Sequence, residues 1–221
     1  MTRGAWICIQ IHMMNSNSPN RARGQPLREK LREVAAAAIL QAAEQVFVEQ
    51  GLHAAKMETI AERAGVAVGT LYNHFEDRNA LLAALLEQRR LQLAEVLDSS
   101  LSTYQGQPFE MQLTDFVIRF LAFCEERVSL VALMAEAEPN PSLRKQRSAA
   151  IDAIDLRARE LVKRGISAKD LDAAHAHALP ILFLGLLKGA VEDTRIRPQT
   201  QRTPEAWARD ISALLLHGMG V

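Results

Sequence analysis

Residues 66–75 read VAVGTLYNHF, directly after ETIAERAG at 58–65. On a helix, Leu71 and Phe75 are four apart and share one face, with Val68 three residues before Leu71. Gly69, Thr70, Asn73 and His74 fall on the opposite arc, with Tyr72 at the boundary. Such a helix is pinned by two large apolar residues and shows small and polar groups outward. Ala61 is small where two helices cross closely. Gly65, four residues on, breaks the first helix. Leu71, six further, points back at Ile60 and Ala61. This spacing makes a helix-turn-helix, the unit whose second helix enters the major groove of DNA.

Working outward, Leu31, Val34, Ala38, Ile39, Ala42, Ala43, Val46 and Phe47 recur at helical spacing over 31–50. Gly51 is expected to end that helix as a left-handed cap. A short helix covers 56–64, facing Met57, Ile60 and Ala61 inward. A third covers 67–75. Asp77 caps a fourth, which carries Leu81, Leu82, Leu85, Leu86 and Leu93 to about Ser99. LSTYQGQPF (101–109) is a break. Further helices are expected over 109–127, 128–138, 142–164 with Gly165 as terminator, 168–195, and 204–217. The fold class is therefore all-α, of about nine helices. Three units are expected: a disordered arm (1–26), a DNA-binding domain (27–93) and a second helical domain (94–221).

Composition agrees with a helical, globular chain. Apolar residues make up 48% and charged residues 24% of 221, aromatics are sparse, and alanine and leucine dominate. Cys8 and Cys124 form neither a disulfide framework nor a metal-ligand cluster, so the chain reads as intracellular and cytoplasmic. The N-terminal apolar run, Ala5 to Ile11, is too short for a secretory signal and no small-residue cleavage site follows it. Residues 1–26 read instead as an unstructured arm, or the functional start is Met13 or Met14. ALPILFLGLL (178–187) is ten residues long where a membrane span needs roughly 20. It reads as a buried helix that also serves a subunit interface. Net charge is zero, so any basic surface must be local. Residues 34–90 hold five basic and seven acidic side chains. Arg21, Arg23, Arg28, Lys30 and Arg32, opposed by Glu29 and Glu33, supply positive charge for phosphates or a minor groove.

The stretch ILQAAEQVFVEQGLHAAKMETIAERAGVAVGTLYNHFEDRNALLAALLEQ resembles the DNA-binding domain of the tetracycline-repressor (TetR) family, most specifically in VFVEQG, IAERAGV, GTLYNHF and DRNALL. The resemblance implies an N-terminal three-helix DNA-binding domain and a C-terminal helical ligand-binding and dimerisation domain. It implies a homodimer on a palindromic operator, released by a small apolar effector. Thr70, Tyr72 and His74 match the family's GTLY-x-HF segment, turned toward DNA. Val68 and Asn73 occupy variable positions that set sequence preference. Arg78 stands where the family has a lysine and would touch a phosphate. Ala67 and Val68 replace the usual serine and a polar residue, which removes a helix cap and leaves an apolar pair that fits a thymine methyl. Ala55 and Lys56 replace a common Thr/Ser pair, and Lys56 joins the DNA-binding set.

The resemblance also places an effector pocket among the middle helices of the second domain. Phe109, Phe116, Phe120, Phe123, Cys124, Met134 and Phe183 are its candidates, with Met111 nearby; ordinary core packing is the competing account of each. Cys124 is read as a small buried residue rather than a thiol sensor. His175 and His177, two apart on a helix, lie about 200° apart and cannot share a metal. No nucleophile motif or glycine-rich phosphate loop occurs, so neither a cofactor nor an enzymatic activity is expected. The rival class is a helical ligand-binding or protein-interaction module whose DNA binding has degenerated.

Overall fold

The computed structural model describes residues 25–127, 141–197 and 202–218. Residues 1–24 of the expected arm, the helix expected over 128–138 and Met134 within it lie outside the described residues. Eight α-helices and no strand are found among the described residues: α1 (Gln25–Ala54), α2 (Met57–Ala64), α3 (Val68–His74), α4 (Arg78–Thr103), α5 (Phe109–Glu125), α6 (Pro141–Ala168), α7 (Leu179–Ile196) and α8 (Pro204–His217).

α1, α2, α3 and the first half of α4 enclose one apolar cluster. Its centre is Ile39, Ala43, Val46, Phe47, Ile60, Ala61, Leu71, Leu81 and Leu85, with Phe75 packed at its edge. Gly65 closes α2 in the left-handed conformation (φ 67, ψ 30). Its N–H donates to Glu62, and the Val66 N–H donates to Ala61 O at 3.0 Å. A side chain at Gly65 would pay the left-handed penalty, so glycine sets this turn. The Asp77 carboxylate caps α4 by accepting the Ala80 N–H at 2.7 Å.

The first helix differs from expectation at both ends. It begins at Gln25, inside the stretch assigned to the arm, and Leu27, Leu31 and Val34 are all exposed. Leu31 and Val34 carry the helical period, yet no described residue covers them. Gly51 interrupts the helix as expected but not as a left-handed cap: its φ 78 and ψ 163 kink the chain before a last turn to Ala54.

A second cluster joins the rest of α4 (Leu93, Leu97, Leu101) to α5 through α8. Phe116 and Phe183 meet at its centre with ring centroids 5.8 Å apart. Arg157 on α6 ties to α4 through Asp98 (2.9 Å from Nε) and the Ala94 carbonyl, and Arg164 donates to the Leu101 carbonyl at 2.7 Å. Gly165 does not end α6. It lies within the helix, where an added Cβ would sit 2.5 Å from the Phe109 ring and 2.7 Å from Leu171. The helix ends three residues later, and Lys169 takes the left-handed conformation instead (φ 67). The single helix expected over 168–195 is likewise broken. A 3₁₀ turn (Ala173–His175) capped by Asp172 comes first, and Pro180, lacking an N–H, lies in the first turn of α7. The last helix, Pro204–His217, has the expected bounds and is capped by Thr203.

Candidate DNA-binding face and effector cavity

α3 is seven residues long and owes its position to Leu71, which is fully buried against α2 and α1. Around that anchor Ala67, Val68, Gly69, Tyr72 and Asn73 are exposed, while Thr70 and His74 are half-buried. Tyr72 leaves 47% of its surface to solvent, so its ring is available for contact rather than packing. His74 leans on Phe75, ring centroids 6.1 Å apart. Ala67 occupies the N-cap position without a side-chain hydrogen bond, as its residue type dictates. Lys56 holds the same position on α2, with its side chain exposed.

Arg78, expected to reach a phosphate, donates from Nη1 to the His53 carbonyl at 2.9 Å, fastening the end of α1 to the start of α4. Arg63 pairs with Glu49 at 2.6 Å. The outward polar face of α3 is thus present, but two of the domain's arginines are engaged within the protein.

An apolar cavity of about 450 Å³, open on one side, lies between α4, α5, α6 and α7. Of the candidate pocket residues, Phe120, Phe123 and Cys124 line it. Phe109, Phe116 and Phe183 are packed in the core, and Met111 is exposed. Burial pushes the Cys124 thiol up to about 12, which leaves no thiolate near neutral pH. His175 and His177 lie on the 3₁₀ turn and the loop after it, both exposed, and no metal-binding cluster occurs among the described residues. No helix among them is long and apolar enough to cross a membrane.

Sequence reasoning missed the polar part of this cavity. Arg89, Arg90, Arg127 and Lys188 line it together with Leu86, Leu93, Ile154 and Leu184. A signal existed: Arg89 and Arg90 stand three and four residues after Leu86, with Leu93 at seven, so a cationic pair interrupts an apolar stripe. Arg90 is held by Glu87 (2.8 Å from Nε), whose carboxyl lies below the usual range because of that bond. Arg89 donates to Gln92 at 2.6 Å and pairs with Glu44 on α1. A second groove, about 650 Å³, opens between α1 and α4 on the other side of Arg89 and Arg127.

The family described as bacterial regulatory proteins, tetR family, matches residues 39–85. The transcriptional regulator UidR of Escherichia coli is 26% identical over 165 residues, covering 70% of this chain and 79% of that protein. The transcriptional activator FasR of Mycolicibacterium smegmatis is 29% identical over 159 residues, covering 71% and 69%. The FadR regulator of Bacillus subtilis, solved in complex with stearoyl-CoA, superposes with a TM-score of 0.67 at 18% identity, covering 83% of this chain and 99% of that one. That last likeness is one of fold.

Proposed function

We propose that the chain is a TetR-family helix-turn-helix transcriptional regulator rather than an enzyme, supported by the family match and the similar regulators, and that it works in the cytoplasm as a homodimer on a palindromic operator. Each subunit lays α3 in the major groove, and the two half-sites face the same side of the duplex. The observation that carries this reading is α3 itself: Leu71 is buried while Val68, Gly69, Tyr72 and Asn73 stand clear. Val68 and Asn73 read base edges, Ala67 adds apolar contact, and Thr70, Tyr72, His74 and Lys56 fix the register on the backbone. Arg78 orients the helices and turns its remaining N–H groups to phosphate.

Dimerisation uses 171–195 and 204–217 of both subunits as a four-helix bundle. On α7, Ile181 and Leu182 are exposed, and Gly189 has no described atom beyond its own helix backbone within 4 Å of where a Cβ would stand. Small residues beside exposed aliphatics let two helices approach closely. A small, apolar effector in the 450 Å³ cavity prefers the form whose recognition helices are wrongly spaced, and so releases the operator. The protein is a repressor in this reading.

One observation favours the rival module without DNA binding: Arg63 and Arg78 are bonded within the protein, and Arg89 and Arg90 lie at the cavity. On the main reading the arm residues Arg21 and Arg23, with Arg28, Lys30 and Arg32 on α1, supply the missing positive charge. Selection of bound duplexes from a random library, with full-length protein at moderate salt, tests the proposal. A recovered palindrome supports it, and no enrichment by folded dimer overturns it. Removing residues 1–26 is expected to lower the salt slope of binding; an unchanged slope makes the arm a spectator.

A further inference from the structure

The cations of the cavity ask for more than an apolar effector. Arg89, Arg90, Arg127 and Lys188 line it against one carboxylate, Glu192, which Arg195 already holds. Cations beside apolar walls are costly unless an anion meets them; Glu87 holds Arg90, and the exposed Glu126 pairs with Arg127 at 2.8 Å. Arg89 is the most telling. Its two terminal nitrogens are used by Gln92 and Glu44, while its Nε is buried with no partner among the described residues. Arg127 lies over the Phe123 ring, 4.1 Å from its centroid. Arg89 and Arg127 line both the apolar cavity and the polar groove against α1, so they stand at the partition between the two spaces.

We propose that the effector is an anionic amphiphile, its chain in the cavity and its carboxylate or phosphate head on Arg89 and Arg127, taking Arg89 from Glu44. This rests on the reading of the chain as an effector-responsive regulator. Glu44 belongs to α1, two residues before Val46 and Phe47 in the core of the DNA-binding domain. Two anions therefore compete for one guanidinium. When Glu44 holds it, α1 is tied to α4 beside the cavity; when the ligand head holds it, that tie is gone. The apolar wall chooses the tail, and the competition converts head-group binding into a change at the DNA-binding domain.

Calorimetry on the full-length protein with laurate, lauryl phosphate and lauryl alcohol, all below micellar concentration, tests the assignment. Operator affinity is measured on the same samples. At least one of the two anions is expected to bind about tenfold or more tighter than the alcohol, as hydrogen bonds to charged groups allow. The better anion identifies the head group. Glu44→Gln removes the internal competitor. It should bind that anion about threefold tighter or more, bind the alcohol unchanged, and show an operator affinity less sensitive to ligand. Arg89→Gln, checked by its melting curve, should lose the preference for anion over alcohol. Equal binding of anions and alcohol, or Glu44→Gln binding the anion no tighter, overturns the proposal. No binding of any of the three overturns the amphiphile while leaving operator binding as independent support for the regulator. Anion binding with the Glu44→Gln effect but no operator would uphold the ligand and sink the regulator.

Discussion

The two halves of α4 sit in differently filled surroundings. Leu81, Leu82 and Leu85 close a cluster with α1, α2 and α3, in which each of these side chains meets protein. Leu93 instead borders both a packed core and the 450 Å³ cavity. The first half holds a surface in one shape. The second leaves room for something else to decide its shape. Stiffness belongs where groups must be presented at fixed spacing, and incomplete packing belongs where a ligand must be able to change the structure.

The contrast can be broken most forcefully at Leu71. Leu71→Ala removes the buried anchor of α3 and is expected to cost about 2–5 kcal/mol. DNA binding should be lost at a lower temperature than the packing around Trp207 on α8, followed by its fluorescence in a Trp6→Phe background. Coincident loss would mean that the two clusters melt as one. Next comes Gly165→Ala, which drives a methyl into the Phe109 ring. A loss of about 1–3 kcal/mol in denaturant titration is expected. Gly189→Ala meets open space and should stay within about 0.5 kcal/mol in the monomer while weakening dimerisation in gel filtration. Ile154→Phe grows into the cavity. It should change stability by less than about 1.5 kcal/mol, keep operator binding and abolish the response to effector. A large destabilisation would show that the space is not available. Smallest in stability is Tyr72→Ala, expected within about 0.5 kcal/mol on an exposed site. It should nonetheless weaken binding to every duplex while the dimer persists. Unchanged affinity would remove Tyr72 from the DNA-binding face.

Local chemistry made the first domain readable. The Ala61, Gly65 and Leu71 spacing is decided within a dozen residues, and the Asp77 cap and Pro204 start carry their own signals. Gly165 was not readable in this way. A glycine late in a helical pattern is a stop or a contact point, and Phe109, which chain order keeps far away, makes it the second together with Leu171. The exposed Leu31 and Val34 have the right period, but period does not say whether a neighbour exists to cover them. The cavity was half legible. Phe120, Phe123 and Cys124 lie on its wall, whereas Phe116 and Phe183, with the same spacing logic, fill each other's space. The Arg89–Glu44 pair joins residues far apart in sequence, and a count of charges says nothing of which of them meet.

α4 serves both clusters, and it does so unequally. Every buried residue of the first cluster lies between Ile39 and Leu86, so a fragment cut after Glu87 would carry its whole core away intact. The second cluster begins at Leu93 and needs Leu97 and Leu101 from the same helix, and its cavity takes Leu86, Arg89 and Arg90 from before that point. The chain can thus be dissected from one side only: the first cluster leaves whole with the residues up to Glu87, whereas the same cut takes Leu86 out of the wall of the cavity.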